Sequence, residues 1–308
     1  MTAHEQGAAH AADGYARLTH KASVVLCHLG PGLTNVLTGV ANAAFDSIPM
    51  VVIAGDVPSY YFGKHPHQEV NMHGDATQYR ILEPVVKRAW RVDDPESLPD
   101  IMDKAFRLAE SGRPGPVLID MPMDMFSREI EEDLWARTYY DSHVTAKPAL
   151  APDAARAITE KLINAKNPVL HAGGGILLAQ ASEELAALAE FLDIPVSRTL
   201  MGQGCLSDEH PLMIGQTGFW GLEHTHHFTL NADVILGLGT RFAEADSSSW
   251  YQGVTFDPTK TTFLQIDIDP TEIGRNYPVE IGAVADLKIA LAQLLEEARR
   301  ICPEGIKR

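Results

Sequence analysis

The sequence predicts an α/β protein built from two parallel-sheet domains. Three observations carry this expectation: short unbroken apolar runs bounded by turn residues, proline-free Ala- and Leu-rich stretches between them, and a break in that alternation over residues 126–151. Strands buried on both faces read as continuous apolar runs, and the intervening helices supply the crossovers that parallel pairing needs. A length of 308 residues suits two domains.

His4 to Leu18 is Ala-rich and reads as a helix. Val24 to Leu29, an apolar run ahead of Gly30-Pro31-Gly32, reads as a buried strand, and Gly32 to Phe45 as a second helix. Met50 to Gly55 is a second strand and Leu98 to Glu110 a helix. Val117 to Met121 is a third strand after the breaker-rich Arg113-Pro114-Gly115-Pro116. These elements form a first domain over 1–125. Residues 126–151 mix charges, aromatics and a Lys147-Pro148 step without periodicity, as an interdomain linker does. A second domain over 152–308 follows: helix Pro152 to Asn164, strand Val169 to Ala172, helix Ala181 to Leu192, strands Pro195 to Arg198, Val234 to Leu238 and Phe263 to Ile268, and helix Leu287 to Arg300.

With 25 basic and 41 acidic side chains the net charge is −16, a field that repels nucleic-acid phosphates and anionic lipid surfaces. Neither partner is expected, and the apolar runs are too short to span a bilayer. Cys27, Cys205 and Cys302 are odd in number and far apart, which argues against a disulfide framework and for a reducing cytoplasm. The polar start Met1-Thr2-Ala3-His4-Glu5-Gln6 lacks the pattern of a targeting segment.

Gly173-Gly174-Gly175 follows a strand, where glycines either admit a phosphate or simply make a tight turn. Arg241, in Gly237-Leu238-Gly239-Thr240-Arg241, could neutralise a pyrophosphate, and Asp267 and Asp269 could accept ribose hydroxyls; the alternative is a solvated arginine and surface acids. The groups His65, His67, His73 and His224, His226, His227 lack the spacing of a zinc site, so no metal ligands are assigned. Glu5 has two readings. It is either a first-turn acid stabilised by the helix dipole, or a buried carboxyl of raised pKa that shares a proton with a cofactor's ring nitrogen.

The run His4-Glu5-Gln6-Gly7-Ala8-Ala9-His10-Ala11-Ala12-Asp13-Gly14-Tyr15-Ala16-Arg17, followed by Gly30-Pro31-Gly32-Leu33-Thr34-Asn35, resembles the pyrimidine-binding domain of thiamine-diphosphate enzymes of the acetolactate synthase type. The likeness continues through Asp46-Ser47-Ile48-Pro49, His67-Gln68-Glu69, Lys87 and Gly112-Arg113-Pro114-Gly115-Pro116-Val117. Thr199-Leu200-Met201-Gly202, Gly239-Thr240-Arg241-Phe242 and Ile266-Asp267-Ile268-Asp269-Pro270-Thr271-Glu272-Ile273-Gly274-Arg275-Asn276 resemble the family's central domain.

The resemblance implies a flavodoxin-like pyrimidine-binding domain, N-terminally incomplete, followed by a Rossmann-like central domain. It implies a carboligase that decarboxylates a pyruvate-like 2-oxo acid and transfers the acyl unit to a second carbonyl. Glu5 matches the glutamate that bonds the aminopyrimidine and promotes its imino form, Gln68 a residue near the reacting centre, and Lys87 a basic residue near the substrate channel. Gly30, Pro31, Gly32 and Asn35 would line the thiamine diphosphate. Gly173, Gly174, Thr199, Leu200, Gly239, Arg241, Asp267 and Asp269 would hold flavin adenine dinucleotide (FAD) or another nucleotide.

Three departures qualify the likeness. His28-Leu29 stands where acetolactate synthases show small hydroxyl residues, and Ala243-Glu244-Ala245 replaces an acidic pair usual in flavin-dependent members. The Gly-Asp-Gly…Asn motif that holds magnesium and the diphosphate does not occur, so that ion is expected on a domain absent here, and the chain is expected to be a family fragment. The parent is expected to be a homo-oligomer. A 2-oxo acid decarboxylase of the same family, or an inert nucleotide-binding or subunit-pairing fragment, are the alternatives.

Overall fold

The computed structural model of the chain describes residues 1–71, 73–74, 77–136 and 146–308. The chain divides into two compact units, Met1–Val144 and Thr145–Arg308. Of the expected linker, residues 137–145 lie outside the described residues.

The first unit opens with α1 (Glu5–Thr19), where His4 Nδ1 accepts the Gln6 N–H at 3.1 Å and Glu5 lies in the first turn, at the positive end of the helix dipole. β1 (Ser23–Cys27), α2 (Pro31–Phe45), β2 (Met50–Asp56), β3 (Ala89–Arg91), α3 (Leu98–Glu110) and β4 (Pro116–Pro122) follow, then the short α4 (Met123–Phe126) and α5 (Glu132–Ala136). The sheet order is β1-β2-β4-β3 and every pairing is parallel, with Ser23 opposite Met50 and Met50 opposite Pro116. β4 is buried along all seven residues, as its apolar run requires, with Asp120 inside it. β1 lies at an edge, and its alternate residues Val24 and Leu26 are 50% and 68% exposed.

The first strand ends at Cys27 instead of Leu29, because the chain already turns toward the proline at the start of α2. β3 escaped the sequence reading: three half-buried residues at a sheet edge leave no periodicity to detect. α1 and α2 cross closely, and a Cβ on Gly39 would lie 2.5 Å from the Ala9 Cβ. Small residues at both positions let the two backbones approach. Farther along α1, Arg17 bonds Asp13 on its own helix and Asp46 at the end of α2, at 2.8 and 2.6 Å.

The second unit contains α6 (Pro152–Asn164), β5 (Pro168–Ala172), α7 (Gly175–Leu178), α8 (Ser182–Leu192), β6 (Val196–Arg198), β7 (Met213–Gln216), α9 (Glu223–Asn231), β8 (Val234–Leu238), β9 (Thr262–Asp267), β10 (Val279–Val284) and α10 (Leu287–Ile301). Its sheet, in the order β10-β9-β8-β5-β6-β7, is parallel throughout, and the strand order turns back between β5 and β8. The strands therefore carry a doubly wound switch point. One core cluster is aliphatic, with Ile158, Leu162, Leu188, Leu236 and Leu291, whereas a second is aromatic, with Phe242, Phe256, Phe263 and Tyr277. No helix among the described residues is long and apolar enough to cross a membrane.

His171 of β5 sits fully buried against this aromatic cluster, with its ring 5.3 Å from those of Phe242 and Phe256. Nδ1 meets Ser197 Oγ at 3.0 Å and Nε2 has no partner, so the ring is held neutral, and burial pushes its pKa down to about 3. An unfolded histidine titrates near ~6.5, so as pH falls from there toward the depressed folded value the unfolded chain takes up the proton first and stability is lost. Acid denaturation followed by circular dichroism should show His171→Phe unfolding at lower pH than the parent chain; an unchanged midpoint would exclude this contribution.

Candidate functional site

In a parallel sheet the loops that leave the carboxyl ends of the strands share one edge, and α1, running antiparallel to β1, begins there as well. Glu5 and Asn35 each lie one helical turn before the Ala9–Gly39 crossing, on α1 and α2 respectively. The close crossing brings them together, and Asn35 Nδ2 donates to Glu5 Oε2 at 3.0 Å. Glu5 Oε1 faces the turn after β1, since a Cβ on Gly32 would lie 3.6 Å from it.

Gly30 has φ +48°, and a Cβ there would lie 2.2 Å from the Gln68 carbonyl oxygen, so both conformation and space demand glycine. The structure thus brings Glu5, Asn35, Gly30, Pro31, Gly32 and the backbone of Gln68 to one edge, with the Gln68 side chain exposed. Glu69 shapes the loop that carries Gln68: Oε1 accepts the Gly63 N–H at 3.0 Å and Oε2 that of His65 at 3.1 Å.

The raised Glu5 pKa contemplated from the sequence is corrected. The Asn35 amide, followed by a backbone N–H of Glu5 itself, holds the carboxyl below its ordinary value, because the side chain is half-exposed and loses little hydration. Ionised, with Oε2 fixed and Oε1 open toward a side-chain-free turn, it can accept a proton or an N–H from a flat heterocycle.

Lys87, expected near the substrate channel, is not brought to the Glu5 edge of this unit. Its backbone N–H bonds Pro116 at the start of β4, and its ammonium bonds the carbonyls of Leu108 and Ser111 at the end of α3, at 2.5 and 2.8 Å. It therefore caps a helix at the opposite edge from Glu5. Lys87→Met should lower stability by about 1 kcal/mol in urea denaturation while leaving ligand affinity at the Glu5 site unchanged. An affinity loss without a stability loss would restore the channel role.

Three site-supporting residues were missed. Gln78, Asp56 and Asp120 form a buried polar group directly behind the Gly30 turn. A charged residue inside the apolar run of β4 was the available signal.

In the second unit Gly173, Gly174, Thr199, Leu200, Gly239, Arg241, Asp267 and Asp269 all follow or end strands β5, β6, β8 and β9, so the structure places them at one sheet edge. Their local roles are structural. A Cβ on Gly173 would lie 2.1 Å from the Gly239 carbonyl oxygen, so this glycine lets two loops of the chain interlock. Asp267 Oδ1 accepts the Asp269 N–H at 2.9 Å, and Asp269 Oδ1 accepts from the N–H and hydroxyl of Thr271 at 2.9 and 2.7 Å. Those carboxylates close a turn. Thr199 Oγ1 accepts the Gly202 N–H at 3.0 Å, and the Leu200 N–H bonds Asp246 Oδ1 at 2.9 Å. Arg241 interacts with Asp246, whose carboxyl is raised by burial. Among the described residues no group of three or more His, Cys, Asp or Glu side chains could hold a metal ion.

Two family models match the chain. Residues 1–77 match the N-terminal TPP binding domain of thiamine pyrophosphate enzymes, and residues 155–294 match their central domain. The chain is 38% identical over 299 residues to the probable acetolactate synthase large subunit of Methanococcus aeolicus, covering 96% of this chain and 48% of that protein. The corresponding protein of Methanocaldococcus jannaschii is 37% identical over 301 residues, covering 96% of this chain and 49% of that one. The acetolactate synthase of Arthrospira platensis is 38% identical over 304 residues, covering 96% and 50%. The chain spans about half the length of the curated relatives it matches.

Proposed function

From the premise that the chain belongs to the thiamine pyrophosphate enzyme family, we propose that it works as part of a thiamine-diphosphate-dependent carboligase. The reaction decarboxylates a pyruvate-like 2-oxo acid and transfers the acyl unit to a second carbonyl, as an acetolactate synthase does. The observation that carries this reading is the Glu5–Asn35 pair facing the Gly30–Gly32 turn.

The donor set fits an aminopyrimidine. Glu5 offers an ionised oxygen, Asn35 fixes its orientation, and Gly30 and Gly32 leave backbone without side chains for a ring to approach. Bound there, thiamine diphosphate supplies the electron sink that decarboxylation and carbon–carbon bond formation need. Ionised at rest, Glu5 would take up and return a proton at Oε1, and Asn35 would keep Oε2 from rotating into that place. The Gln68 backbone braces the turn from the other side.

A second reading, a 2-oxo acid decarboxylase, draws on His28, an exposed imidazole whose charge acts on Glu5. A proton donor there would favour release of aldehyde over transfer to a second carbonyl. Gly173, Asp267 and Asp269 of the second unit are engaged in loop packing and turns of their own chain, and no step is assigned to FAD. Magnesium is assigned no ligand among the described residues. We place the working enzyme in the cytoplasm as a homo-oligomer, a reading supported by the family resemblance.

The test supplies the protein with thiamine diphosphate, magnesium and pyruvate and identifies the products. A hydroxy-keto acid supports the carboligase and aldehyde alone the decarboxylase. Failure of the complete protein of which this chain would be part to bind thiamine diphosphate would overturn both.

A further inference from the structure

The turn that faces Glu5 hangs from a single side-chain amide. Gln78 is 1% exposed. Its Oε1 accepts the Gly30 N–H at 2.7 Å, and its Nε2 donates to the Gly55 carbonyl and to Asp120 Oδ1, both at 2.8 Å. One residue thus joins the loop after β1, the end of β2 and the interior of β4. A reversed amide would set Nε2 against the Gly30 N–H and Oε1 against two acceptors, so these partners permit one orientation.

Behind Gln78 stands a pair of buried carboxyls, Asp56 and Asp120, 2% and 0% exposed. Asp120 Oδ2 accepts from no donor, while Asp56 Oδ1 accepts the Val57 N–H at 2.7 Å. Two facing carboxylates cannot both stay ionised in a dry site, and one proton between them satisfies the orphan oxygen: Oδ2–H of Asp120 donates to Asp56. Asp120 Oδ1 is then left as the acceptor that Gln78 meets. Among the described residues, the titratable and charged groups around the pair are Cys27 of β1, Glu69 of the loop after β2 and Arg91 of β3. Arg91 favours the ionised form, but burial and the neighbouring carboxyl weigh more, and both raise Asp120.

We propose that Gln78 is the positioning residue of the pyrimidine site, locking the Gly30–Gly32 turn at the depth Glu5 requires, with its orientation set by the Asp56–Asp120 carboxyl pair. This rests on the cofactor reading above and extends it to residues that touch no ligand. Gly30 carries no side chain that could anchor the turn, so its N–H is the available handle.

The experiment measures amide hydrogen exchange at Gly30 and Gly32, corrected for intrinsic rates, and titrates thiamine diphosphate with magnesium into the full chain. In Gln78→Leu the two amides should exchange about tenfold or more faster and thiamine diphosphate should bind about tenfold or more weaker. Asp120→Asn offers the same acceptor to Gln78 and a permanent N–H donor to Asp56, so it should keep the protection of Gly30. Unchanged Gly30 exchange in Gln78→Leu, or loss of Gly30 protection in Asp120→Asn, would overturn the proposal. If Gln78→Leu does not fold, Asp120→Asn decides alone. Exchange changes as expected in a complete protein that does not bind thiamine diphosphate would overturn the cofactor reading and leave the positioning of the turn standing.

Discussion

Glu5→Gln is expected to lower turnover by about 10²–10⁴-fold with the melting temperature unchanged. The amide retains an oxygen to accept from Asn35, as Glu5 Oε2 does now at 3.0 Å, and the side chain is half-exposed, so little packing changes. What is lost is the capacity to hold a proton at Oε1. Thiamine diphosphate should still bind, because a neutral amide also bonds a ring nitrogen. The measurement is turnover of pyruvate by the complete enzyme of which this chain would be part, at saturating thiamine diphosphate and magnesium, alongside a thermal melt of the same preparation. Activity near the parent level in a folded variant would remove Glu5 from the reaction.

The second large effect is on stability. Gly173→Ala should destabilise the second unit by about 2–4 kcal/mol with no nucleotide present. The added methyl would meet backbone on every side: the Gly239 carbonyl oxygen at 2.1 Å, the Gly239 carbonyl carbon at 2.7 Å and the Thr240 Cα at 2.7 Å. Side chains can rotate out of a clash, but these atoms belong to the loop that leaves β8, hydrogen-bonded back to β5 through Gly173 N–H and Leu238 O at 2.9 Å. Urea denaturation of the chain reports the loss. A variant of parental stability that fails to bind a nucleotide would instead make this glycine a phosphate cradle.

The parts of the fold legible in the sequence were those with one dominant signal. α2 and β4 could be read because a proline-led helical start and an unbroken apolar run leave few alternatives. β7 and β10 could not: Met213–Gln216 is half-buried throughout, and Val279–Val284 alternates between half-buried and exposed, the pattern of an edge strand with little core to reveal it. In α9 three histidines drew attention to metal chemistry, although His226 Nε2 accepts the Gly218 N–H at 3.1 Å and serves a turn.

At the candidate site, Glu5 and the Gly30 turn came from family resemblance, since periodicity alone left Glu5 with two readings. The meeting of Glu5 with Asn35 depends on a helix crossing, a tertiary fact without a local signature. Gln78 lies 48 residues from the Gly30 amide that it bonds, beyond the reach of any spacing rule.

The Ala9–Gly39 contact works as the fulcrum of a pair of tongs whose jaws are Glu5 and Asn35. A single methyl added at Gly39, already 2.5 Å from Ala9 in its ideal place, would pry the shafts apart and open the jaws without altering either tip. The geometry of the Glu5–Asn35 pair is therefore governed partly by a position that carries no functional group.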